Sequence, residues 1–163
     1  MQEKRRLSKM SKDYLGPFAD AARQTLKLLL DVDALESSNQ TESNASESNE
    51  QVGVVIGLTG DLSGEVQYRF PSETSLEIVK LMSGMEFTEI DEFVTSALGE
   101  IANIISGNAV TDLSNHNVIC DILPPKINEV GDGMGSDETT YIFSTKLNSE
   151  IGVVDIKLQL KMN

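Results

Sequence analysis

The sequence contains one cysteine, Cys120, and one histidine, His116. A single thiol cannot form an internal disulfide, which fits a reducing compartment. The two residues give no metal-ligand spacing, so no metal site of the chain's own is expected. They stand four positions apart. On a strand they would project to the same side about 13 Å apart, too far for a nucleophile and its base. Cys120 therefore reads as a small core residue. Positive charge is also scarce: 13 Lys and Arg face 26 Asp and Glu, for a net charge of -13. Nucleic acid is excluded as a partner, because phosphate binding needs clustered cations, and an anionic membrane surface would repel the chain. An acidic surface supports solubility and also suits docking onto a basic patch of another protein. No apolar run approaches the roughly 18 residues of a membrane span. The basic opening MQEKRRLSKMSKDYLGPF lacks the apolar region and small-residue cleavage site of a signal peptide. The expected location is cytoplasmic, and the sequons at Asn39 and Asn44 read as chance matches in a Ser- and Asn-rich stretch.

The chain has 163 residues, of which 39% are hydrophobic, enough for one domain over 1–163 with a sizeable core. Residues 1–12 read as a basic tail. Over 13–31 the apolar residues Tyr14, Phe18, Ala22, Leu26 and Leu29 recur with helical period. Pro17 suits a first turn and places the start of regular helix near Gly16. Residues 36–51, ESSNQTESNASESNEQ, are too polar to repay their ordering entropy and read as a flexible acidic insert. VGVVIGLTGDLSGEVQYRF reads as a hairpin; its Gly60 and Gly64 are turn residues, since neither the lysine nor the helix of a phosphate loop follows. Residues 72–83 form a short helix that Ser72 or Thr74 can cap and Gly84 ends. A longer helix spans 88–108, then a buried strand over 117–123 stopped by Pro124 and Pro125. A turn-rich loop, NEVGDGMGSDETT, precedes a second hairpin around Asn148 and Ser149. Helix followed by antiparallel strands occurs twice. The fold class is α+β: an antiparallel or mixed β-sheet covered by helices, with a degenerate internal repeat.

GEIANIISGNAV, residues 99–110, raises the functional question. At 100° per residue, Phe93, Ala97, Leu98, Ile101, Ala102, Ile104 and Ile105 are expected to fill the half of the helix that packs on the sheet. Ser96, Glu100, Asn103 and Gly107 fall within an arc of about 60° on the other side. Ser, Gly and Asn are weaker helix formers than the Lys, Glu and Arg that usually cover a helix exterior. Small residues around a carboxylate and an amide leave room for another macromolecule to come close. The same spacing also describes ordinary solvated residues on a poorly optimised helix.

The EIANIISGNA run resembles the E-x-x-N-x-x-x-G helix of the CheC/CheX/FliY phosphatases of bacterial chemotaxis, which dephosphorylate the response regulator CheY. The resemblance extends through PFADAARQTLKLLL, the first hairpin, VICDILPPKI and the last hairpin; the acidic insert and basic tail have no counterpart. Where a second motif would stand, the first helix offers Asp20 and Arg23, so the pair is intact once, as in the CheX branch. The resemblance implies an aspartyl-phosphate phosphatase acting on a CheY-like receiver domain. Asn103 would orient the attacking water, and Glu100 would bind the receiver's active-site lysine. Ser96, Gly99 and Gly107 would form the docking face. It further implies no cofactor of its own, Mg²⁺ carried by the phosphorylated partner, and a homodimer formed through the sheets. The alternative is a non-catalytic module, of the flagellar-switch or two-component type, that recognises a receiver.

Overall fold

A computed structural model describes residues 2–37, 51–127 and 140–161, with side chains from Tyr14 onward. The elements in chain order are α1 (Gln2–Leu30), β1 (Ala34–Ser37), β2 (Gln51–Gly60), β3 (Gly64–Pro71) and α2 (Ser72–Ser83). They continue with α3 (Glu92–Ser114), β4 (Cys120–Ile122), β5 (Lys126–Ile127), β6 (Thr140–Ser149) and β7 (Gly152–Lys161). The strands form one seven-stranded antiparallel sheet of order β1-β6-β7-β3-β2-β4, with β5 also paired to β2.

Strand periodicity sets the layers. Val52, Val54, Ile56 and Leu58 on β2, Val66, Tyr68 and Phe70 on β3, and Val154, Ile156, Leu158 and Leu160 on β7 all enter one buried cluster. Phe18, Ala22 and Leu26 of α1, Ile78 and Val79 of α2, and Leu98, Ile101 and Ile105 of α3 join the same cluster, so the three helices cover one face. Glu65, Gln67, Lys157 and Gln159 point from the opposite face. There the Gln67 amide donates to Glu65 at 2.8 Å and to Gln159 at 3.2 Å.

The internal repeat is visible in the strand order. Each half supplies a helix, a short edge strand and a hairpin, and the hairpins meet where β3 pairs with β7. The edge strands are exchanged: β1 pairs with β6 of the second half, and β4 pairs with β2 of the first.

Several boundaries differ from the sequence expectation. α1 starts at Gln2 and passes through Pro17, which costs one backbone hydrogen bond without ending the helix. The basic stretch 2–12 is thus the first part of α1. The insert expected over 36–51 loses its ends to strands: Glu36 accepts a 2.8 Å hydrogen bond from Thr145 within β1, and Gln51 opens β2. Residues 38–50, like most of the turn-rich loop (128–139), lie outside the described residues. α2 has the expected bounds and ends at Gly84 with φ 75°. Its N-cap is Pro71, whose side chain has no acceptor to cap with, in place of Ser72 or Thr74. The 117–123 strand shortens to three residues at the sheet edge and leaves Ile119 and Leu123 exposed. In the second hairpin the turn falls at Glu150 and Ile151, before Gly152 at φ 125°.

Candidate active site

α3 begins later than expected, at Glu92. There the Asp91 carboxylate accepts from the Val94 amide at 3.0 Å, a cap worth about 1 kcal/mol. It runs six residues past 108 because its stop signal is Asn117. That residue takes φ 67°, while the Val118 amide reaches back to the Leu113 carbonyl at 2.9 Å. Leu98, Ile101, Ala102 and Ile105 are buried as expected. Each fully buried isoleucine contributes about 1.5–3 kcal/mol, which fixes the rotation of α3 on the sheet.

That rotation differs from the sequence expectation by about 80°. The buried arc runs from Ile101 through Leu98 and Ala109 to Ser106 and Gly99. Ser106 is wholly buried and its hydroxyl lies 2.7 Å from the buried Tyr68 hydroxyl. Burial holds the Tyr68 phenol far above its usual range, with the Ser106 contact opposing, so it stays protonated and serves as structural glue. Gly99, expected on the docking face, is buried instead. A methyl group there would meet Ile127 Cδ1 at 3.4 Å and Pro125 Cγ at 3.7 Å. The segment after β4 crosses α3 at this point and takes Gly99 out of the exposed stripe. Conversely, Phe93 and Ile104, expected in the core, stand outside the core cluster; Phe93 is 54% exposed.

The remaining site residues are brought together. Ser96 and Glu100 are exposed, and Asn103 and Gly107 are half-buried on the same arc. Glu100 and Asn103 are one turn apart, with Cβ atoms about 5–6 Å from each other. Gly107 adds bare backbone one turn further, with nothing within 4 Å of where its Cβ would stand. The result is a carboxylate able to pair with a cation and an amide able to donate and accept, on one helix face with small neighbours. Phe93 and Ile104 lie on the same side of the helix, since Phe93 precedes Ser96 by three residues and Ile104 follows Glu100 by four.

The other candidates fall away from this face. Burial raises the Cys120 thiol pKa, and His116 is exposed after α3 with Nδ1 3.0 Å from the Asp112 carbonyl. Neither activates the other. Among the described residues no group of three or more His, Cys, Asp or Glu is arranged to hold a metal. No described helix is long and apolar enough to cross a membrane. On α1, Asp20 and Arg23 are paired with each other at 2.6 Å.

The fold is shared with solved structures of CheC-like proteins. Among solved structures, CheX from Vibrio vulnificus aligns over 91% of this chain and 96% of its own, with TM-score 0.76 and 21% identity. A CheX-CheY-BeF3-Mg²⁺ complex from Borrelia burgdorferi aligns over 91% and 98%, with TM-score 0.71 and 22% identity. More specifically, the model of the chemotaxis phosphatase CheX family matches residues 52–140, more than half of the chain, and the chain belongs to that family. The CheY-P phosphatase CheX of Thermotoga maritima is 40% identical over 74 residues, 45% of this chain and 48% of that protein. The match thus spans about half the length of that relative.

Proposed function

We propose that the protein is a phosphatase for the aspartyl phosphate of a CheY-type receiver domain in chemotaxis signalling. The observation that carries this reading is the Glu100–Asn103 pair on the exposed arc of α3, inside the segment matched to the CheX family. An aspartyl phosphate is an acyl phosphate and is already activated, so positioning and charge stabilisation suffice. The Asn103 amide accepts a hydrogen bond from water and donates to it or to a phosphoryl oxygen. It thereby orients the water for in-line attack on phosphorus. The P–O bond to the aspartate breaks, the carboxylate leaves, and the water's proton ends on phosphate or solvent. Glu100 anchors the receiver through its active-site lysine. Mg²⁺ arrives with the receiver, and the chain supplies no cofactor. The setting is the cytoplasm.

The assembly belongs to the same proposal: a homodimer formed through the outer faces of the sheets. The central part of that face is polar, with Gln67, Glu65 and Gln159 hydrogen-bonded together. Gln67 and Gln159 are already buried within the chain, and light scattering at micromolar concentration reads the assembly directly. The functional reading is tested by mixing the protein with CheY-type receivers phosphorylated by a small-molecule donor and timing phosphate loss. Acceleration for at least one receiver supports it. Stable binding of a phosphorylated receiver without acceleration would favour the recognition-module alternative.

A further inference from the structure

The most exposed aromatic among the described residues, Phe93, stands beside the proposed site. The Phe93 ring stacks on Phe87 with centroids 5.1 Å apart and planes 12° from parallel. Phe87 is partly buried and packed against the core, so Phe93 rests on an anchored neighbour. Phe93 precedes Glu100 by seven residues, two helical turns, and so lies about 10 Å along the same exposed arc. Half-buried Ile104 stands one turn after Glu100 on the same side of the helix, outside the core cluster. A protein–protein interface of standard size takes about 800 Å² from each partner, equivalent to a disc of radius about 16 Å. Centred on Glu100 and Asn103, that footprint includes Phe93.

We propose that Phe93, seated on Phe87, is the aromatic anchor for the receiver domain, setting affinity while Asn103 sets turnover. The proposal rests on the phosphatase reading of the Glu100–Asn103 pair. Its occupant is the receiver, because the surface that covers the pair must cover Phe93 as well. Preorganised aromatic residues dominate binding where they become buried in an interface.

The test measures the Kd for a CheY-type receiver loaded with beryllofluoride and Mg²⁺, and kcat and KM on the phosphorylated receiver. Phe93→Ala is expected to raise Kd and KM by about tenfold or more with kcat held within about twofold. Phe93→Gln keeps a long side chain but replaces the apolar ring with an amide, and must do the same. Asn103→Ala, by contrast, should keep Kd and lose kcat. Unchanged Kd and KM in both Phe93 variants, with wild-type turnover present, overturn the anchor and leave the phosphatase reading standing. Absence of turnover in the wild type overturns that reading and the anchor with it. A Phe93→Ala variant that changes only its oligomeric state assigns the face to a second copy of this chain, and the proposal fails.

Discussion

Replacing Gly107 by alanine separates what α3 needs to fold from what its exposed face needs to work. A glycine inside a helix costs about 0.8–1.0 kcal/mol relative to alanine, mainly through backbone entropy. The added methyl meets nothing within 4 Å, so neither a clash nor a packing gain enters the balance. Gly107→Ala should therefore stabilise the protein by about 1 kcal/mol, which for a chain of this length raises Tm by about 2–4 °C. The same methyl stands one turn beyond Asn103, about 6 Å along the helix, where the receiver is proposed to approach. Displacement of a reacting geometry by about 1 Å costs up to about a hundredfold in rate. We expect kcat/KM to fall by about tenfold or more while Tm rises. Calorimetry and phosphate-loss kinetics on one preparation read both quantities. A lowered Tm would refute the helix argument; a raised Tm with unchanged kcat/KM would remove Gly107 from the docking face.

Three other perturbations have defined outcomes. Ser106→Ala leaves the buried Tyr68 hydroxyl unpartnered and should cost about 1–3 kcal/mol, whereas the Ser106→Ala/Tyr68→Phe double variant should recover much of it in a denaturant-unfolding cycle. Gly64 has φ 157°, and its Cβ would collide with the Gln159 carbonyl oxygen between β3 and β7, so Gly64→Ala should lower Tm well beyond Gly107→Ala's gain. Asp155 has a raised pKa because burial disfavours its charge, with Lys146 and Arg69 opposing. A raised acid contributes stability below its unfolded pKa that is lost as pH rises through the folded value. Asp155→Asn should thus flatten the acid side of the stability–pH curve and stabilise the protein at neutral pH, with the difference vanishing near pH 3; a destabilised variant at pH 7 would show that the Lys146 and Arg69 contacts outweigh burial.

How much of this was legible in the sequence depended on what ended each element. Gly84 marks the end of the 72–83 helix, although its N-cap is Pro71 rather than Ser72 or Thr74, and glycines bracket the turn of the first hairpin. α3 was misjudged at its far end because its stop is Asn117 in a left-handed conformation, a residue with a weaker signature than glycine. β1 was missed because four residues beside a polar stretch carry no period of their own; pairing with β6 makes them a strand. The site's polar members were legible from spacing alone. Its apolar flank was not, because counting hydrophobic residues sets the helix phase wrongly when the true buried arc contains Gly99 and Ser106. Gly99 admits the crossing segment and Ser106 pairs with Tyr68, and hydropathy scores neither as core. Phe93 and Ile104 were consequently turned inward on paper and stand outside the core in the structure. The repeat was legible as a pattern, but the exchange of edge strands between halves is a long-range pairing that no local signal carries.

The central claim is that Asn103 acts on the phosphoryl group while contributing nothing to the fold. The most direct measurement is single-turnover decay of a phosphorylated CheY-type receiver with saturating wild-type protein or Asn103→Ala, alongside the melting temperature of each. The account predicts accelerated decay with the wild type, decay at the receiver's intrinsic rate with Asn103→Ala, and closely similar melting temperatures. Full acceleration by Asn103→Ala would contradict it.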